Sequence, residues 1–181
     1  MTIETDFTIG TTVIYGTHGK CVVKGIEARE INGDVIPFYK LEVQKPALSR
    51  STKAEPSIWL PVSAAPVRGL REPLNADSAS TVLEILASPE YFFPLSEAWA
   101  SVFPRLEKTI CSEGAIGLAK VFSYLAGLER KLLILPIEAA RYEETIRKLF
   151  LRELAEALGQ QIKATEDQVT KLLRKKVITE H

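Results

Sequence analysis

Phe7 to Glu30, FTIGTTVIYGTHGKCVVKGIEARE, decides the reading of the N-terminal half of the chain. Val13 and Tyr15 alternate with Thr12 and Ile14, which is the two-residue period of a strand. Cys21, Val22 and Val23 open a second apolar run that continues to Ile26. Gly16 and Gly19 stand between the runs, and two glycines within four residues supply the positive φ angles of a sharp reversal. The spacing predicts a hairpin with strands over 7–15 and 20–30. Lys20, Lys24 and Arg29 lie along it. An edge strand carries free N–H and C=O groups that can take up a partner's strand, so this edge is a candidate docking site. An edge merely protected by charge is the competing interpretation.

Working outward, Asn32-Gly33-Asp34 is a turn signal, and a third strand is expected over 35–44. Tyr39, Leu41 and Val43 alternate there with Lys40, Glu42 and Gln44, giving one buried and one wet face. Pro37 suits an edge or a bulge near its start. Residues 45–56, KPALSRSTKAEP, read as a long exposed loop or a ragged hairpin tip. A short strand over 57–60 ends at Pro61. Four or five strands of this length make a small, strongly bent sheet or partial barrel. The segment 62–76, rich in small residues, Pro and Gly, reads as a connector.

The rest has helical periodicity. Asp77 or Ser78 is expected to cap a first helix that ends at Ser88-Pro89. An aromatic loop over 89–95 follows, and Ser96 is expected to cap a helix carrying Trp99, Phe103, Leu106 and Ile110. Pro104 leaves two options: a kink there, or a later start. A break near Cys111–Gly114 precedes a third helix with Leu118, Val121, Phe122, Leu125, Leu128 and Leu132 on its stripe. Pro136 fits the first turn of a long fourth helix that stops at Gly159. Its stripe is Ile137, Ile146, Leu149, Phe150, Leu154 and Leu158. Thr165-Glu166-Asp167-Gln168 has the capping-box pattern and predicts the start of a short basic fifth helix. The tail from Arg174 to His181 is expected to fray. The fold class is therefore α+β: a bent antiparallel sheet over 1–70, then a compact helical bundle over 71–181.

Composition narrows the function. The 181 residues carry 23 Lys/Arg and 23 Asp/Glu, 8 and 7 of them before residue 71. Neither half is polybasic, so net charge gives no support for strong non-specific nucleic-acid binding. Cys21 and Cys111 fall in different halves and read as reduced thiols. MTIETDF lacks a signal-peptide pattern, and the longest apolar runs are too short to span a membrane. A cytoplasmic, membrane-free protein is the expectation.

The residues do not spell an enzyme. Only His18 and His181 are present, and hydrolytic triads and most zinc sites need a partnered histidine. No P-loop or GxGxxG occurs, so no catalytic residue, metal site, cofactor or small-molecule substrate is indicated. Glu143-Glu144 reads as a solvated helix face. Trp99 reads either as core or as an apolar wedge for a minor groove.

Phe7, Gly10, Val13, Tyr15, Gly19, Ile26 and Glu27 together resemble the opening of the CarD/CdnL family of bacterial transcription regulators. Gly33, Tyr39, Leu41 and Val43 fit its third strand, and Leu60-Pro61-Val62 with 67–72 fit the exit from its β module. Trp99 followed by Leu106-Glu107-Lys108 is similar to its tryptophan helix, and the resemblance runs to about Leu158. It implies a Tudor-like domain, shared with transcription-repair coupling factor, that binds the β subunit of RNA polymerase. It also implies a helical domain whose tryptophan wedges into promoter DNA and stabilises the open complex.

Polymerase-binding candidates implied in this way are Arg29, Lys24, Glu27, Trp59 and Arg50. DNA-binding candidates are Trp99, Arg105 and Lys108. Two departures stand out. The family's second polymerase-contacting arginine falls at Trp59, and Arg50 or Lys53 in the preceding loop is the alternative. The arginines that follow the family's tryptophan fall at Ser101 and Val102, which removes two phosphate contacts. Promoter DNA is thus the weaker of the two partners, and an adaptor that docks through the β module without touching DNA is the alternative function.

Overall fold

The computed structural model describes residues 5–44 and 56–176. The chain divides into two compact units, Met1–Pro73 and Leu74–His181. An antiparallel sheet followed by helices gives the expected α+β class.

The first unit is one five-stranded antiparallel sheet. Its strands are β1 (Thr12–Tyr15), β2 (Gly19–Ile31), β3 (Asp34–Val43), β4 (Ile58–Pro61) and β5 (Leu70–Arg71), in the order β4-β3-β2-β1-β5. A three-residue 3-10 turn, Gly16–His18, joins β1 to β2. The first strand is shorter than expected. Gly10 has φ +90°, and the Thr11 amide bonds to the Thr8 carbonyl, so a turn occupies the start of that segment. Inward-facing Val13, Cys21, Val23, Tyr39, Leu41 and Leu60 form the core with Ala65 and Leu70. Leu70–Arg71 corrects the connector reading of 62–76. Before leaving the unit, the chain returns to pair with β1, Tyr15 opposite Leu70 and Ile14 opposite Arg71. The expected loop over 45–56 lies outside the described residues, apart from Gln44 and Pro56 at its borders.

The register slips between Val23 and Gly25. A bulge inserts one residue and so exchanges the faces of everything beyond it. Before the slip, Cys21 and Val23 point inward; after it, Ile26 does, opposite Tyr39. Glu27 and Arg29 are thereby turned to the outer face.

The second unit holds α1 (Ala76–Ala87), α2 (Trp99–Leu132), α3 (Ile137–Leu158) and α4 (Ile162–Arg174). Helix α2 is continuous through Pro104 and bends at Gly114, whose φ is +59°. The expected break is therefore at Gly114, and Pro104 neither kinks nor delays the helix. The bend is tight: a Cβ on Gly117 would stand 2.2 Å from the Thr109 carbonyl oxygen. The core runs through Val82, Leu86, Val102, Leu106, Leu118, Phe122, Leu125, Ile146, Phe150, Leu154 and Val169.

Several termini differ from expectation. Asn75 caps α1, accepting a 2.8 Å bond from the Ser78 amide, while Asp77 and Ser78 lie inside the first turn. Helix α2 starts at Trp99 without a side-chain cap, so Ser96 does not cap it. Helix α4 starts three residues before Thr165, whose hydroxyl donates back to the Gln161 carbonyl at 3.3 Å. A threonine can bond back to i−4 as well as cap, and the sequence pattern does not separate the two. Gly159 ends α3 in the left-handed region as expected. Ile137 and Leu132, assigned to buried stripes, are 72% and 44% exposed at the α2–α3 corner. Glu143 is buried rather than solvated, because Arg147 reaches it at 2.6 Å. Its neighbour Glu144 is exposed and pairs with Lys148.

Candidate interaction site

The bulge builds the outer face of the sheet. Arg29 leaves β2 on this side, and Trp59 leaves β4 opposite Lys40. The Arg29 guanidinium lies 3.5 Å from the centre of the Trp59 ring and 5.9 Å from that of Phe38. The Lys40 ammonium stands 5.3 Å from the same indole. Cation–π attraction holds a planar guanidinium flat on an aromatic face and leaves its edge donors for a carboxylate or carbonyl. Arg29 is exposed, so these donors face solvent. Glu27 is exposed opposite Phe38, and Lys24 sits at the bulge, 3.9 Å from Glu42.

Of the candidates in this unit, Arg29 and Trp59 are in contact, with Glu27 and Lys24 nearby on β2. Arg50, like Lys53, lies outside the described residues. Sequence reasoning missed Phe38 and Lys40 as part of this face. The alternation in β3 already marked Lys40 as wet, but the bulge that puts Arg29 on the same side carries no clear sequence signal.

The candidate docking edge along the 7–30 hairpin is only partly free. Strands β1 and β2 are interior, and the edges of the sheet are β4 and β5. β1 pairs with β2 only over residues 19–22. From Gly25 to Ile31, among the described residues, β2 pairs with β3 alone and keeps its other edge open.

In the helical unit, Trp99 is the first residue of α2 and is half-buried. Its ring stands 5.4 Å from Phe103 and 5.8 Å from Tyr142, and those two rings are 5.1 Å apart. The Tyr142 hydroxyl donates to Glu107 Oε1 at 2.5 Å. Burial, and then this bond to a carboxylate, push the Tyr142 hydroxyl far above its ordinary pKa. Arg105 is exposed and paired with Glu97, and Lys108 is exposed. Ser101 is exposed, but Val102 is completely buried in the core. Of the two positions that the resemblance assigned to arginines, one is thus a core position in this chain, where a charge would be costly to bury.

Residues 7–51, about a quarter of the chain, match the model of the CarD-like/TRCF RID domain family. This stretch is similar to a CarD-like/TRCF RID domain, and its described part supplies β1 to β3 of the Tudor-like bent sheet. Domains of this family are protein-interaction modules that bind the RNA polymerase β subunit. The helical unit lies beyond the matched residues. No curated protein matches the chain. Among the described residues, no helix is long and apolar enough to cross a membrane, and no three His, Cys, Asp or Glu side chains gather as a metal site.

Proposed function

We propose that this protein is a transcription regulator that binds the β subunit of RNA polymerase through the module at 1–70 and modulates the lifetime of the promoter open complex. The module at 71–181 is its effector. The stack of Arg29 on Trp59 carries the reading: an exposed guanidinium is pre-oriented by the residue that stands where the family has a second arginine. The match of residues 7–51 to a polymerase-binding domain family supports the same partner. Arg29, Lys24, Glu27 and Trp59 form the docking face in this reading, and Arg50, outside the described residues, is a further candidate contact. Cytoplasmic location, non-enzymatic action and the lack of a cofactor or small-molecule substrate belong to this reading.

Promoter DNA is the second partner in the proposal, met by Trp99, Arg105 and Lys108. A specific observation favours the alternative adaptor role without DNA contact. Trp99 is packed against Phe103 and Tyr142, and Arg105 is engaged by Glu97. Open-complex half-life separates the readings. With the full chain, Arg29→Glu should abolish the effect by loss of docking. Trp99→Ala should shorten the half-life while leaving polymerase binding intact if DNA is contacted. An unchanged half-life with Trp99→Ala leaves the adaptor, and unchanged behaviour with Arg29→Glu overturns the docking face.

A further inference from the structure

Helices α2, α3 and α4 leave a cavity of about 290 Å³ between them. One face of each helix lines it: Phe122, Ala126 and Arg130 recur every four residues on α2, as Arg147 and Leu151 do on α3 and Val169 and Leu173 on α4. Phe122, Leu151, Val169 and Leu173 are buried and make the floor apolar. The volume is near twice that of an apolar cavity of roughly 150 Å³ that takes benzene. Charge is confined to the rim, with three arginines against two glutamates. Arg147 draws both carboxylates, Glu129 at 3.1 Å and Glu166 at 3.9 Å, and meets Glu143 at 2.6 Å. Glu166 also meets Lys163 at 3.6 Å. Among the described residues, no carboxylate pairs with the other two arginines, Arg130 and Arg174. Arg130 donates instead to the Leu173 carbonyl at 3.0 Å and the Lys176 carbonyl at 3.3 Å, and also bonds to Tyr91. It thereby offsets the negative end of the α4 dipole. Arg174 is exposed, and Thr170 adds a hydroxyl to the same lining.

We propose that this cavity is a binding site for a small apolar monocarboxylate, whose body fills the floor and whose carboxylate is held by Arg130 and Arg174 at the C-terminal end of α4. A guanidinium presents parallel N–H donors that match a carboxylate, and each of these two has donors to spare. The glutamate on the same helix is remote from this seat: Glu166 and Arg174 are eight residues apart on α4, about 12 Å. A cation on the same stem meets two arginines there, and a neutral head gains no ion pair. The ligand touches three of the four helices, so its binding stabilises this unit by mass action. None of the polymerase- or DNA-binding candidates lines the cavity, so the site stands apart from the function proposed above.

Octanoate, octanol and octylammonium share one stem and differ only in the head, and titrating the full chain with each, followed by amide chemical shifts, tests the site. Millimolar octanoate should shift the amides of Ala126, Leu151 and Val169 saturably and raise the melting temperature. Octanol should bind about tenfold more weakly, and octylammonium more weakly still. Arg174→Gln, at an exposed position, should weaken octanoate by about threefold or more and leave octanol unchanged. Ala126→Phe, which fills the cavity from α2, should abolish the saturable shifts; if that variant does not fold, Arg174→Gln decides alone. Equal binding of octanoate and octanol, or wild-type affinity for octanoate in Arg174→Gln, would reduce the site to apolar packing and overturn the proposal. So would saturable shifts that survive Ala126→Phe, or the lack of any with octanoate.

Discussion

Trp59 is the residue that most changes the interpretation of the sequence. Alone it reads as a departure from the family; in the structure its indole supports Arg29. Trp59→Ala removes that support, so binding to the β subunit should weaken by about 1–2 kcal/mol, measured by titration calorimetry, with the sheet still folded. Lys176 gives a prediction in pH. Burial holds its ammonium below the ordinary lysine value of 10.5. The unfolded chain then binds more protons between the lowered value and 10.5, so this residue's contribution to stability rises with pH across that window. The groups facing it are Tyr91, which burial raises, and the cation Arg130. A raised tyrosine has the opposite sign, losing stability as pH climbs above 10.0. The comparison is therefore the difference in denaturant midpoint between wild type and Lys176→Met. That difference should move in favour of wild type as pH rises toward 10.5.

At the scale of elements, periodicity revealed most of the fold. Alternation at Tyr39, Leu41 and Val43 marked β3, and the stripe from Leu118 to Leu128 marked the second half of α2. Termini were less legible, because Thr165 and Ser96 have the chemistry of caps wherever they stand. The strand Leu70–Arg71 was hidden because two residues carry no period, and only its pairing with β1 defines it. The bulge at Val23–Gly25 was hidden for a similar reason: it depends on how two strands meet, not on either one. At Gly127 close packing gives a direct test. Gly127→Ala must displace Tyr91 and should cost about 1–3 kcal/mol in thermal or chemical unfolding. A smaller loss than Gly159→Ala, where only the positive φ is at stake, would contradict the seating of Tyr91 against α2.

For the whole molecule, the proposed function puts polymerase docking and DNA contact in separate units, and the two are not equally supported. The proposed docking face includes Arg29, an exposed, oriented arginine inside the matched residues 7–51. The DNA candidates share a helix whose Val102 is core and whose Trp99 is part of an aromatic cluster. Trp99→Ala should therefore lower stability by about 2–4 kcal/mol as well as test DNA contact, and Phe103→Leu, which loosens the cluster while keeping Trp99, controls for packing loss. The site was only partly legible in the sequence for the same reason: resemblance could nominate Arg29 and Trp99, but only the packing around each distinguishes a free donor from a shared core.

The affinity of the full chain for the isolated β-subunit lobe tests the central claim most directly. Wild type should bind, and Arg29→Glu should weaken binding at least tenfold, about 1.4 kcal/mol, with the same circular dichroism spectrum and melting temperature. Equal affinity of the folded variant and wild type would contradict the proposed docking face, and no binding by wild type would contradict the proposed function itself.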